Sequence, residues 1–210
     1  MCYHTKQTAT AVQLKNRYKA IFEKETNYQP KASVNGFNHP YTPIITNQAP
    51  NEIQLFQWGL LPSWAKDTSL QKNTLNAQFE TISEKPTFRD AQSKHCIIPI
   101  TGFYEWKWLN KTGSKKEKYQ ITAADMEVFS LAGLWNEWLH PKTGQLIKTY
   151  TILTTEADEL MSEVHNSKKR MPIILTEQGE QEWLQSDNLP EIKHELIATN
   201  LDAPIQFSLF

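Results

Sequence analysis

Residues 95–108, HCIIPITGFYEWKW, decide the fold. β-branched and aromatic side chains crowd this stretch, favouring extended backbone, and Thr101-Gly102 divides it by a turn. Downstream, NKTGS (110–114) leads into EKYQITAA (117–124), and HPKTGQ (140–145) joins VFSLAGLWNEWL (128–139) to IKTYTILT (147–154). Consecutive β-rich runs linked by Gly-containing turns predict antiparallel hairpins.

Working outward, IQLFQWGLLP (53–62) reads as a strand ended by Pro62. The Pro-, Asn- and Gly-rich segment 27–43 reads as a loop, and the polar segment 63–89 has no clean period. From Thr8 to Lys24, Val12, Leu14, Tyr18, Ile21 and Phe22 approximate one helical face, with Lys and Arg opposite. A helix is expected over 156–164, a strand at MPIILT (171–176), and helical segments near 177–185 and 191–198. The expected architecture is a single α+β domain over residues 1–210. Its mainly antiparallel sheet is curled toward a barrel, with flanking helices.

The chain's net charge of −1 announces neither nucleic acid nor membrane, so a nucleic-acid partner would need a local basic patch. Cys2 and Cys96 are too few for a disulfide scaffold. There is no secretory h-region and no apolar run of membrane-spanning length, so a cytoplasmic setting is expected. Seven Trp exceed what a core of this size needs, so several are expected at a surface or cleft. Six scattered His, with no C-x-x-C and no H-E-x-x-H, argue against a metal site. No cofactor is expected.

Four places carry possible chemistry. Cys2 becomes the N-terminus if Met1 is removed, joining a thiol to an α-amine whose pKa is about 7.7–8.0. That pair can condense with an aldehyde to an imine and close a thiazolidine, or attack an amide; an arbitrary, buried thiol is the plainer alternative. In GFYEWKW (102–108), strand alternation places Phe103, Glu105 and Lys107 on one face and Tyr104, Trp106 and Trp108 on the other. A desolvated Glu105 suits acid–base work, whereas a Glu105–Lys107 pair on a solvated face would be merely structural. His165 precedes Lys168, Lys169 and Arg170, a group able to engage phosphate, or an exposed bystander. In TLNAQFET (74–81), Asn76 and Glu80 sit in a polar stretch, where Asn76 orients a substrate oxygen or stabilises a turn. Nearby, Trp64 and Lys66 form a base-stacking and phosphate pair, while core packing accounts for Trp58.

In order, Cys2, WGLLPSW, LNAQFET, CIIPITGFYEWKW and H-x₄-R-M-P-I-I-L resemble the SRAP family, the SOS response-associated peptidases or abasic-site-processing proteins. The resemblance runs from Cys2 to about Leu175. It implies a DNA-repair protein that recognises abasic sites in single-stranded DNA. A covalent thiazolidine crosslink through Cys2, after Met1 removal, would shield the site, with lyase-like and self-processing peptidase activity. Carried over by motif, Cys2 is the nucleophile, Asn76 positions terminus and sugar, Glu105 is the acid/base, and His165 assists ring opening. Trp64, Lys66, Gln78, Arg89, Lys168, Lys169 and Arg170 would serve DNA. The implied partner is single-stranded DNA met by a monomer associated with the nucleoid and the replication fork, with no membrane. Where many members continue Cys-Gly-Arg, this chain has Tyr3-His4, and Gln78 stands where Arg is usual. The alternatives are an N-terminal-cysteine peptidase or amidohydrolase, and a noncovalent single-stranded DNA-binding module.

Overall fold

A computed structural model describes residues 2–186 and 195–203. The first half contains β1 (His4–Gln7), α1 (Ala11–Tyr18), β2 (Ile21–Phe22), β3 (Lys31–Asn35), β4 (Tyr41–Thr46), β5 (Ala49–Trp58), β6 (Asn76–Gln78), α2 (Pro86–Arg89) and β7 (His95–Ile100). Then come β8 (Gly102–Trp108), β9 (Lys116–Ala123), β10 (Phe129–Leu139), β11 (Leu146–Glu156), α3 (Glu159–Val164), β12 (Arg170–Pro172), β13 (Ile174–Leu175), α4 (Glu177–Gln185) and β14 (Leu196–Asn200).

Strands β11, β10, β7, β4 and β5 form neighbouring antiparallel pairs, and a parallel contact between β5 and β11 closes the ring. In that closing contact Gln57 faces Thr149 and Trp58 faces Tyr150. A second sheet, in the order β14-β9-β8-β1-β3, carries the Glu105 strand and the N-terminus. The expected curled, barrel-like α+β fold is what forms.

Period-2 alternation explains why the barrel strands are buried on both faces. Along β7, Cys96, Ile98 and Ile100 enter one core cluster and Ile97 another. On β10, Phe129, Leu131 and Trp135 join the first cluster, Ala132 and Leu134 the second. The first cluster also takes Phe103 and Ile121 of the second sheet, while the second takes Leu14 of α1 and Trp183 of α4. At Gly133 an added Cβ would lie 2.5 Å from Ile98 Cδ1 and 2.6 Å from the Thr151 carbonyl oxygen. Only glycine permits that approach.

Several expectations are corrected. The N-terminal helix is shorter: Thr10 caps it reciprocally with Gln13, Lys19 ends it at φ +49°, and Ile21-Phe22 leave as a strand beside β5. The stretch 27–43 holds β3 and the start of β4, because pairing with β1 and β5 outweighs its loop-like composition. Gly59 (φ +114°) ends β5 before Pro62 is reached. Residues 191–194 of the expected last helix lie outside the described residues, and 196–200 form a strand on β9 rather than a helix. Trp58, Trp135, Trp138 and Trp183 are core residues, each donating its indole N–H, which leaves Trp64, Trp106 and Trp108 nearer solvent. Among the described residues no helix is long and apolar enough to cross a membrane.

Candidate active site at the N-terminus

β1 lies inside the second sheet, with His4 facing Asn35 of β3 and Tyr104 of β8. The chain just before it is therefore held in place. Gly36 N–H donates to the Tyr3 carbonyl at 2.9 Å, and Asn76 Nδ2 donates to the Cys2 carbonyl at 2.9 Å. Asn76 reaches this position from β6, a three-residue strand paired in parallel with β11, where Asn76 faces Ile152. Its other amide atom, Oδ1, is buried without a hydrogen-bond partner. An acceptor left so, at an amide that already grips the terminus, is suited to a group brought by substrate or by processing.

Cys2 is completely buried in the first core cluster, with Trp58, Leu75, Phe103 and Val164 among its members. Burial, and after it the Glu105 charge, push its thiol well above the ordinary value. Glu105 itself is only 4% exposed, and burial raises its carboxyl to about 7. The alternative of a structural pair with Lys107 is not what forms; Lys107 makes an ion pair with Glu163 of α3. His165 caps the C-terminus of α3, where its Nδ1–H donates to the Arg170 carbonyl at 2.7 Å. Burial brings its pKa down to about 4, against the pull of that hydrogen bond, so the imidazole is neutral near pH 7. A carboxyl poised near neutrality, a neutral imidazole and a buried thiol one residue from the chain start are the group types that proton transfer to and from a nucleophile requires.

A family description, SOS response associated peptidase (SRAP), matches residues 1–207. The chain belongs to the SRAP family. It is 40% identical over 168 residues to the abasic site processing protein YoqW of Bacillus subtilis, covering 80% of this chain and 72% of that one. It is 32% identical over 170 residues to the abasic site processing protein YMR114C of Saccharomyces cerevisiae, spanning 77% of this chain but only 43% of the yeast protein. A crystal structure of a protein from Bacteroides thetaiotaomicron superposes with a TM-score of 0.81 at 38% identity, over 87% of this chain and 81% of that one.

In this SRAP chain the residues expected to serve DNA differ in their surroundings. Trp64 is 52% exposed, and Lys66, Arg89, Lys168 and Lys169 are exposed as well. The sequence neighbour of Trp64, Ala65, belongs to a satellite cluster with Leu61 and Trp138. Arg170 is engaged inside the fold. Its guanidinium donates to Glu80 Oε1 and Oε2 at 3.1 and 2.8 Å and to the Thr154 carbonyl at 2.6 Å. Gln78 lines a cleft of about 410 Å³ together with Tyr3, Asn76, Lys72, Lys85 and Thr87. Lys72 and Lys85 were not singled out by sequence; they sit in a segment without periodicity, and only the fold brings them to Asn76. Among the described residues no group of three or more His, Cys, Asp or Glu side chains could hold a metal.

Proposed function

We propose that this protein recognises abasic sites in single-stranded DNA and links to them covalently through Cys2 after Met1 is removed. One observation carries the reading: Cys2, whose carbonyl Asn76 holds at 2.9 Å, lies within the electrostatic reach of a Glu105 carboxyl tuned to about 7. The names of the relatives, abasic site processing proteins, support the same substrate.

The chemistry balances without a cofactor. The sugar opens to its C1′ aldehyde, His165 taking the hydroxyl proton as a neutral base. The Cys2 α-amine adds to the aldehyde and water leaves, giving an imine. The Cys2 S–H then adds across the C=N bond: sulfur joins carbon, and the proton passes through Glu105 to nitrogen. Near pH 7 a carboxyl with a pKa of about 7 serves equally as donor and acceptor. Asn76 fixes the terminus, and its Oδ1 accepts a hydrogen bond from the new α-amine or a sugar hydroxyl. Closing the ring consumes the imine that would otherwise promote strand cleavage, so the thiol shields the lesion. Self-processing at Met1 draws on the same acid–base groups.

Lys72 and Lys85 line the cleft beside Asn76 and supply cations for flanking phosphates. All four reactive groups come from one chain, so a monomer suffices. Its place of work is DNA: the nucleoid, and forks where single strands are exposed. An amidohydrolase would call for a thiolate stabilised by its surroundings, and here the thiol is pushed the other way. Incubation with abasic single-stranded DNA is expected to give an adduct that survives a denaturing gel and is absent in Cys2→Ala. No adduct from the wild type, or an unchanged adduct from Cys2→Ala, overturns the proposal.

A further inference from the structure

Strand β8 has two faces. Phe103 and Glu105 point inward, whereas Tyr104, Trp106 and Trp108 share the opposite face. Tyr104 is buried there, its hydroxyl donating to the Ala32 carbonyl at 2.8 Å, and the two Trp are half-buried. The register continues this outer face onto the neighbouring strands. Tyr104 faces His4 and Gln120, Trp106 faces Lys118, and Trp108 faces Lys116. Residues directly opposite in an antiparallel pair lie on the same face, so rings and ammonium groups alternate across it. Lys116 Nζ lies 5.2 Å from the Trp108 ring centre, and Lys118 Nζ lies 4.2 Å from that of Tyr104 and 5.8 Å from that of Trp106. One strand further on, Lys6 shares the face and donates to Gln120 Oε1 at 3.4 Å.

Two features distinguish this face from an ordinary solvated sheet surface. First, among the described residues no strand position sharing it carries a carboxylate: Glu105 and Glu117 alternate to the other side. A chain of net charge −1 thus gathers Lys6, Lys116 and Lys118 on one face. The nearest carboxylates lie at its margins, where Asp125 and Glu127 share a depression with Lys6 and Asp202 accepts from the Lys118 backbone N–H at 2.7 Å. Second, the ammonium groups are held over aromatic rings rather than waving on free stems. Lys116 and Lys118 are two residues apart, about 6.8 Å along a strand, close to the distance between neighbouring phosphates of an extended nucleic acid. Trp106 and Trp108 are half-buried, and Gly113 packs closely against the Trp108 ring.

We infer that the outer face of the β9-β8-β1 sheet is a nucleic-acid track, on which Lys116 and Lys118 contact successive phosphates of a single strand and the intervening rings stack its bases. The inference rests on the DNA reading above and extends it from the reactive cleft to undamaged strand beside it. β8 then joins the two tasks, presenting Glu105 to the chemistry and the ring–lysine ladder to the strand.

The test uses the full chain and an intact oligothymidylate of about twelve nucleotides, with binding followed by fluorescence anisotropy across a salt series. Lys116→Gln/Lys118→Gln is expected to bind about tenfold or more weakly at low salt. It should flatten the log–log salt slope by about 1.4, two phosphates at about 0.7 each. Lys116→Arg/Lys118→Arg is expected to keep both affinity and slope. Unchanged affinity and slope in the Gln variant overturn the inference. So does an Arg variant as impaired as the Gln one, which would mark these lysines as packing residues, and so does binding to anionic phospholipid vesicles in place of the oligonucleotide. A wild type that binds the intact strand through these lysines yet forms no abasic adduct refutes the crosslinking proposal and leaves the track standing.

Discussion

Replacing Glu105 by Gln tests the central electrostatic claim, because the expected magnitude follows from burial. The carboxyl moves from an ordinary 4.5 to about 7 on folding, with desolvation as the leading cause. At roughly 1.36 kcal/mol per pH unit, its charged form costs the fold about 3 kcal/mol. The sign follows from proton counts. Between about pH 4.5 and 7 the folded chain keeps the proton that the unfolded chain has released. Stability contributed here is therefore greatest below the unfolded value, falls as pH rises, and is flat above about 7. A Gln cannot ionise and lacks this slope. Urea denaturation of both proteins at about pH 4.5 and about pH 8 should show the variant gaining on the wild type by up to about 3 kcal/mol at the higher pH. In parallel, the crosslinking rate of the wild type should inflect near pH 7, and the slower rate of Glu105→Gln should not. A stability difference that stays constant with pH, or an inflection that survives in the variant, would refute the argument that burial tunes this carboxyl.

Asn76→Ala removes the 2.9 Å bond to the Cys2 carbonyl; gel time courses should show crosslinking slowed about tenfold or more, with a stability loss of about 1 kcal/mol in denaturation. Arg170→Ala should lower stability by about 1–3 kcal/mol, because its guanidinium bonds Glu80 and the Thr154 carbonyl. The salt slope of DNA binding should stay unchanged, since that charge is already engaged. Gly133→Ala should cost about 1–3 kcal/mol or more, read as a lowered thermal midpoint, because its Cβ would meet Ile98 and the Thr151 carbonyl.

The hairpin strands after residue 95 were legible because alternation and turn chemistry are local. β3 and β14 were not, since each is defined by the strand it pairs with, β1 and β9, and not by its own composition. The same division runs through the candidate site. Cys2, Asn76, Glu105 and His165 could be picked out by residue type and order alone. Lys72, Lys85 and the Lys116–Lys118 ladder could not, because nothing in their own segments sets them apart from other surface lysines. Conversely, Arg170 looked like a free cation in sequence and is tied to Glu80 across the fold.

By itself the sequence determined a β-rich α+β fold and the family, and it singled out Cys2, Asn76, Glu105 and His165 as the candidates for nucleophile, anchor, acid/base and imidazole. Those properties reside in residue identity and spacing along the chain. Only the tertiary structure decided that Glu105 is buried to a pKa of about 7, that His165 is neutral, and that Lys107 pairs elsewhere. It also decided that three lysines share one sheet face. Desolvation, charge pairing and shared faces depend on residues far apart in the chain, and strand pairing alone brings those together.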